Sequence, residues 1–176
     1  MSKEEVNNEF DVAARVQSAF VKATKEKVEN HEALNDSEIA LLCPVAMKTT
    51  MTNNEVNKLG LSEHYSFVPT INVVNDLRAL GFECVGAEQV KARKKTTNGY
   101  QKHMLTFENP KYKIEGAEEY PQLLLTNSHD GGNAFTLSAG IFRLVCSNGL
   151  VIKTEDYGSS RLVHKGYSFE AVQELV

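Results

Sequence analysis

A chain of 176 residues has room for one domain with a helical arm, and 41% apolar with 24% charged residues is the composition of a folded globular protein. That excludes a disordered, collagen-like or coiled-coil chain. The net charge of −4 conceals a segregation: Lys91, Arg93, Lys94, Lys95, Lys102, Lys111 and Lys113 meet only Glu108, so positions 91–113 carry +6 and the remainder −10.

In chain order, the spacing of Phe10, Ala13, Val16, Phe20, Ala23 and Val28 predicts a helix over 4–30, with Glu4, Glu5 and Glu9 near its positive end. Asn35 and Asp36 offer caps for a short helix through Leu42, stopped by Pro44. Asn53 offers a cap for another that ends at Gly60. Tyr65 to Pro69 reads as extended. Thr70 then caps an amphipathic helix with Ile71, Val74, Leu77 and Leu80 on one face and Gly81 as its stop. A long strand is expected from Phe82 to Lys95, an Asn98-Gly99 hairpin turn, and a return strand from Tyr100 to Phe107. Asn109-Pro110 breaks the ladder, and the polar run from Lys111 to Glu119 reads as loop.

Further strands are expected at Leu123 to Thr126, at Ala134 to Cys146 as one strand or a strand pair with a bulge or kink at Gly140, at Leu150 to Ile152 and at Arg161 to His164. Asn148-Gly149 is a second hairpin turn, and Ser168 caps a last helix. The fold class is α+β, a mainly antiparallel sheet with an N-terminal helical segment (1–60) and a core (61–176) that ends in a short C-terminal helix.

The cysteines Cys43, Cys84 and Cys146 lie far apart with no CxxC pair. They argue against a disulfide framework or a cysteine-built zinc site, and for a reducing compartment. The start MSKEEVNNEF is charged where a signal peptide is apolar, and no run approaches the roughly 18–20 apolar residues of a membrane span. The expectation is a cytoplasmic protein without a membrane partner.

Three segments carry a resemblance: the turn Ser128-His129-Asp130-Gly131, the segment from Arg143 through Cys146 to Asn148-Gly149, and His164 downstream. With the weaker run from Tyr65 to His103, they resemble a family of uncharacterised proteins borne by phages, prophages and plasmids, known as a phage/plasmid-like domain of unknown function. The resemblance covers roughly 65–170. It implies a mobile-element protein and no particular activity. Members of that family are usually longer at the C-terminus, so the chain reads as truncated or minimal. The order of helix, glycine-aromatic start, long hairpin and further strands is also similar in layout to single-strand annealing recombinases, which transfers no residue.

Two constellations carry chemistry. His129, Asp130, Cys146 and His164 are ligand and nucleophile types, suited to a metal site or a thiol site if they converge. The bland alternative makes His129-Asp130-Gly131-Gly132 a hairpin loop, with side chains bonding their own backbone and glycine at positive φ. It makes Cys146 a small buried hydrophobe. No HExxH, CxxC, GxSxG or phosphate-loop pattern is present, so no cofactor or metal is assigned.

The second constellation is the basic hairpin. On a strand, Lys91, Arg93 and Lys95 share a face, with Lys94 beside them and Lys102 on the return. Interleaved with Tyr100, they suit single-stranded nucleic acid, the bland alternative being a solvated edge. The leading expectation is therefore a non-enzymatic accessory protein that binds or anneals single strands and self-associates. A protein that blocks a host defence enzyme is the second, motivated by small size and an acidic remainder. An enzyme built on the His129 set is the third.

Overall fold

The structure, a computed structural model, describes residues 3–92, 94–113, 121–146 and 150–162, with isolated positions beyond. Four helices precede an all-antiparallel five-stranded meander in the order β1-β2-β3-β4-β5. The α+β class is as the residue pattern predicts.

Helix α1 spans Lys3–Glu29. Helix α2 (Asp36–Leu42) starts at a capping box: the Asn35 side chain accepts from the Glu38 backbone, and the Glu38 carboxylate accepts from the Asn35 backbone. Pro44 ends it and opens a 3-10 turn, Pro44–Met47. Helix α3 (Asn53–Leu59) has Thr52 as its cap, again in a capping box with Glu55, and Gly60 closes it in the left-handed region. Helix α4 spans Thr70–Ala79. Pro69 occupies its cap position, so the Thr70 hydroxyl is not spent on capping and points elsewhere.

Strands β2 (His103–Glu108) and β3 (Gln122–Asn127) alternate inward and outward side chains, while β1 (Glu83–Gln89) shifts register between Cys84 and Gly86, so that Cys84 and Ala87 both face inward. The inward set stacks in cross-strand rows: Cys84 beside Phe107 beside Leu123, then Ala87 beside Leu105 beside Leu125 beside Leu137. Helix α4 covers this face with Ile71, Val73, Val74 and Leu77, while Leu34, Ile39, Cys43 and Ala46 from the preceding segment close the same core. Three polar anchors tie that segment down. Arg78 reaches Asp36 at 2.6 Å and the Leu34 carbonyl at 3.0 Å. Lys27 pairs with Glu38 at 2.7 Å. At the Glu108 end of β2, His31 Nδ1, Gln122 Nε2 and Lys113 Nζ converge on the buried Glu108 carboxylate at 2.5, 2.7 and 3.1 Å.

Five expectations change. Thr52, not Asn53, caps α3, and Pro69, not Thr70, occupies the cap position of α4, because each helix begins one residue earlier than its expected cap allows. The strand from Phe82 ends at Gln89, not Lys95, because the ladder closes where Gln89 pairs with His103. Residues 90–102 form a connection with a 3-10 turn at Lys95–Thr97, and Gly99 sits at φ +90°. The two late strand candidates are one long strand, β5 (Leu150–Leu162), paired along β4 (Phe135–Cys146). The register of that pair shifts between Ala139 and Gly140, where a glycine bulge is predicted. The helix expected after Ser168 falls mostly outside the described residues.

Leu125 is fully buried at the centre of the inward rows. Leu125→Ala is expected to lower unfolding free energy by about 2–5 kcal/mol, measured by urea denaturation.

Candidate functional site

The inward phase of β2 and β3 runs Phe107, Leu105, His103 and Leu123, Leu125, Asn127, so the last inward position of each strand is polar and buried. His103 and Asn127 are register partners. Buried polar groups must find partners, and these find one another through Thr70. The Asn127 amide donates to Thr70 Oγ1 at 3.0 Å and to the Val68 carbonyl at 3.2 Å. Thr70 Oγ1 lies 2.7 Å from His103 Nε2, and His103 Nδ1 lies 3.1 Å from the Gln101 carbonyl.

A carbonyl oxygen only accepts, so Nδ1 carries the proton. Burial pulls the His103 imidazole down to about 4, against the opposing pulls of the Gln101 carbonyl and the Asp130 carboxylate. The ring is therefore neutral at pH 7, and Nε2 accepts the Thr70 hydroxyl proton. Every hydrogen bond in the chain from Asn127 to Gln101 then has one direction.

This chain supports two loops. His129 is fully buried, its ring 5.0 Å from that of His103 and 4.7 Å from that of Phe67. Its backbone N–H donates to the Tyr100 carbonyl at 2.8 Å, which joins the β3–β4 loop to the β1–β2 connection. The Gln101 side-chain oxygen accepts from Gly99 and Tyr100 at 2.7 and 3.1 Å. Ser128 Oγ accepts from the Asn133 backbone at 2.9 Å, and Asp130 Oδ1 accepts from the Gly132 backbone at 2.9 Å. Gly131 has φ +73°, and a Cβ there would meet Leu61 at 2.5 Å. The self-bonded hairpin loop is thus the arrangement present at Ser128, His129, Asp130 and Gly131.

Tyr100 is committed to internal contacts. Its hydroxyl donates to Glu55, and the Lys48 ammonium stands 4.7 Å from its ring centroid. Lys48 also pairs with Glu55 at 2.7 Å. The Lys48, Thr52 and Tyr100 bonds hold the Glu55 carboxyl well below the usual carboxylate range. Burial and the same carboxylate push the Tyr100 phenol up to about 12. A base stacking on Tyr100 has to use the face away from Lys48.

Lys91, Lys94 and Lys95 are exposed and Lys102 is half-buried. Among the described residues these four form no ion pair, whereas Lys27, Lys48 and Lys113 each have a carboxylate partner. The described residues between Gln89 and His103 are not strand and Lys95 opens a 3-10 turn, so Lys91 and Lys95 do not share a strand face; Arg93 lies outside the described residues.

The proposed His129, Asp130, Cys146 and His164 set does not assemble along β4. His129 and Asp130 lie in the loop that leads into Phe135, and Cys146 ends the same strand eleven steps later. An extended strand of that length spans on the order of 35 Å. Arg143 is placed on β4 near that far end. Asn148, Gly149 and His164 lie outside the described residues. Burial pushes the Cys43 and Cys84 thiols up to about 12, so both are neutral, packed side chains. Among the described residues no group of three or more His, Cys, Asp or Glu is placed to hold a metal ion, and no helix is long and apolar enough to cross a membrane.

Thr70, Gln101 and Asn127 are absent from the sequence-based site. One signal could have found His103 and Asn127: polar residues in phase with Leu105 and Leu125 on two strands that pair.

The architecture and the paired loops define an antiparallel α+β module with a lysine-rich connection over a buried polar chain. The chain belongs to the family described as Domain of unknown function (DUF932), whose model matches residues 60–176. It is similar to the UPF0380 proteins YfjQ and YafZ of Escherichia coli (strain K12), 38% identical to each over 105 residues, 60% of this chain. The chain spans 37% of the length of those relatives. No solved structure matches it.

Two outcomes are expected. The His103 pKa is about 4 in the fold against about 6.5 unfolded, so the unfolded chain binds the extra proton between those values. Stability from this group is complete above pH 6.5 and is lost as pH falls towards 4, by on the order of 3 kcal/mol. Denaturation of wild type and His103→Gln from pH 7 to 4 checks this; the variant should lack that part of the slope. Gly131→Ala, strained at positive φ and against Leu61, should cost about 1–2 kcal/mol or more in the same assay.

Proposed function

We propose that the chain is a non-enzymatic protein that handles single-stranded nucleic acid, in keeping with the mobile-element setting its resemblance suggests. The observation that supports this reading is the charge of Lys91, Lys94, Lys95 and Lys102, without ion pairs among the described residues, on one connection whose base is bonded to the fold. An exposed cation without a carboxylate partner keeps its full attraction for a phosphate. Anchoring the loop lowers the ordering cost of binding. In this reading the lysines, with Arg93, neutralise phosphates without reading bases, and Tyr100 sets the loop's position from beneath. Binding is then sequence-tolerant and salt-dependent.

The test is fluorescence anisotropy of a labelled single-stranded oligonucleotide at two salt concentrations. Five phosphate contacts at a slope near −0.7 each give about −3.5, so affinity should fall about 130-fold between roughly 50 and 200 mM salt. Charge reversal of Lys94 and Lys95 to Glu should reduce the slope by about 1.4 and weaken all sequences alike. No binding at the lower salt, or an unchanged double variant, overturns the reading.

A further inference from the structure

Helix α1 is 27 residues long, about 40 Å, and among its described side chains, from Ala13 onward, those of the C-terminal part pack on the domain. Thr24 is the first buried one among them, and Val28 packs against the core. Phe20 and Val21 are half-covered, while every side chain described from Ala13 to Ala19 is exposed, Val16 at 63%. In the sequence of the helix an apolar stripe runs through this exposed stretch as Phe10, Ala13, Val16, Phe20 and Ala23.

The stripe is complementary to itself in reverse. About a two-fold axis between positions 16 and 17, Phe10 falls opposite Ala23 and Ala13 opposite Phe20, so each large position meets a small one. Val16 falls beside its own copy. The charges reverse in the same sense. In α1, Lys3 against Glu4, Glu5, Glu9 and Asp11 leaves the first part at −3, and Arg15, Lys22, Lys25 and Lys27 against Glu26 and Glu29 leave the second part at +2. Asp11 falls opposite Lys22 about that axis.

A parallel pair would set like charges side by side, whereas an antiparallel pair sets the acidic part against the basic one. We propose that α1 is the self-association element of this protein, pairing antiparallel with α1 of a second copy through the Phe10–Ala23 stripe. The pair is isologous, with its two-fold axis between positions 16 and 17. It closes on itself, because each α1 offers one stripe and that stripe is used once. The C-terminal turns stay on their own domains, held by Thr24, Val28 and the Lys27–Glu38 pair.

Sedimentation equilibrium of the 176-residue chain tests this at roughly 1–100 μM protein. A dimer is expected, weakened in about 1 M salt, where the screening length drops to about 3 Å. Val16→Glu places two uncompensated carboxylates beside the axis and should weaken the dimer at least about tenfold. Val16 is exposed within its own chain, so the thermal melt should be unchanged at monomeric concentrations. Reversing Glu4, Glu5 and Glu9 to Lys should also weaken the dimer, and adding Lys22→Glu and Lys25→Glu should restore it. A monomer throughout the range overturns the proposal, as does an assembly indifferent to Val16→Glu. Failure of the second set of reversals to restore pairing overturns the antiparallel arrangement even if Val16→Glu fails to fold.

Discussion

The arrangement at the open end of the sheet rests on one requirement, that His103 and Asn127 be satisfied out of contact with water. An unsatisfied buried polar group costs a few kcal/mol, enough to matter to a domain of this size. The two residues solve it as a pair across the β2–β3 ladder, with Thr70 between them. Thr70 can serve because Pro69 takes the cap position of α4. The start of that helix is thereby tied to the end of two strands. A slip of one residue in the ladder would turn both polar groups to the other face and part them from Thr70. The polar chain therefore sets register as well as closing the core.

The loops inherit their positions from it. His103 holds the Gln101 carbonyl, Gln101 holds the Gly99 and Tyr100 backbone, and the Tyr100 carbonyl receives the His129 N–H. Two segments with different sequence signatures, one lysine-rich and one glycine-rich, thus share a foundation. On their outer side Glu55 gathers Lys48, Thr52 and Tyr100, which draws α3 onto the same connection. The charge asymmetry of the chain acquires a location in this way. Lys48 is neutralised locally, while Lys91, Lys94 and Lys95 face solvent above an anchored base.

The family match begins at residue 60, at the glycine that closes α3, yet the core does not begin there. Leu34, Ile39, Cys43 and Ala46 lie in the same apolar cluster as Leu105, Phe107 and Leu125. The physical cause is the breadth of the sheet face that has to be covered. Helix α4 alone is 10 residues and cannot roof four strands. At the other end of β2, the buried Glu108 carboxylate draws in His31, Gln122 and Lys113, so the turn after α1 is fixed to the sheet by a hydrogen bond as well as packing.

Local chemistry was legible from the residues alone: the cap at Asn35, the glycine stop at Gly60, the apolar stripe of α4, the strand at Leu123 and the bulge at Gly140 each depend on neighbours within a turn or a few residues. The self-bonded turn at Asp130-Gly131 was legible for the same reason. What only the tertiary structure decided is where ladders stop and which distant groups meet. The Asn98-Gly99 signal could not show that pairing ends at Gln89, because that depends on His103 being drawn towards Thr70, 33 residues away in sequence. Nor could residue types show that Cys146 lies a strand's length from His129, since a single strand and a strand pair have the same pattern over Ala134 to Cys146. The sequence determines periodicity, caps and charge because these are short-range. Convergence of buried polar groups belongs to the fold, because it is set by register across strands and by the helix that packs on them.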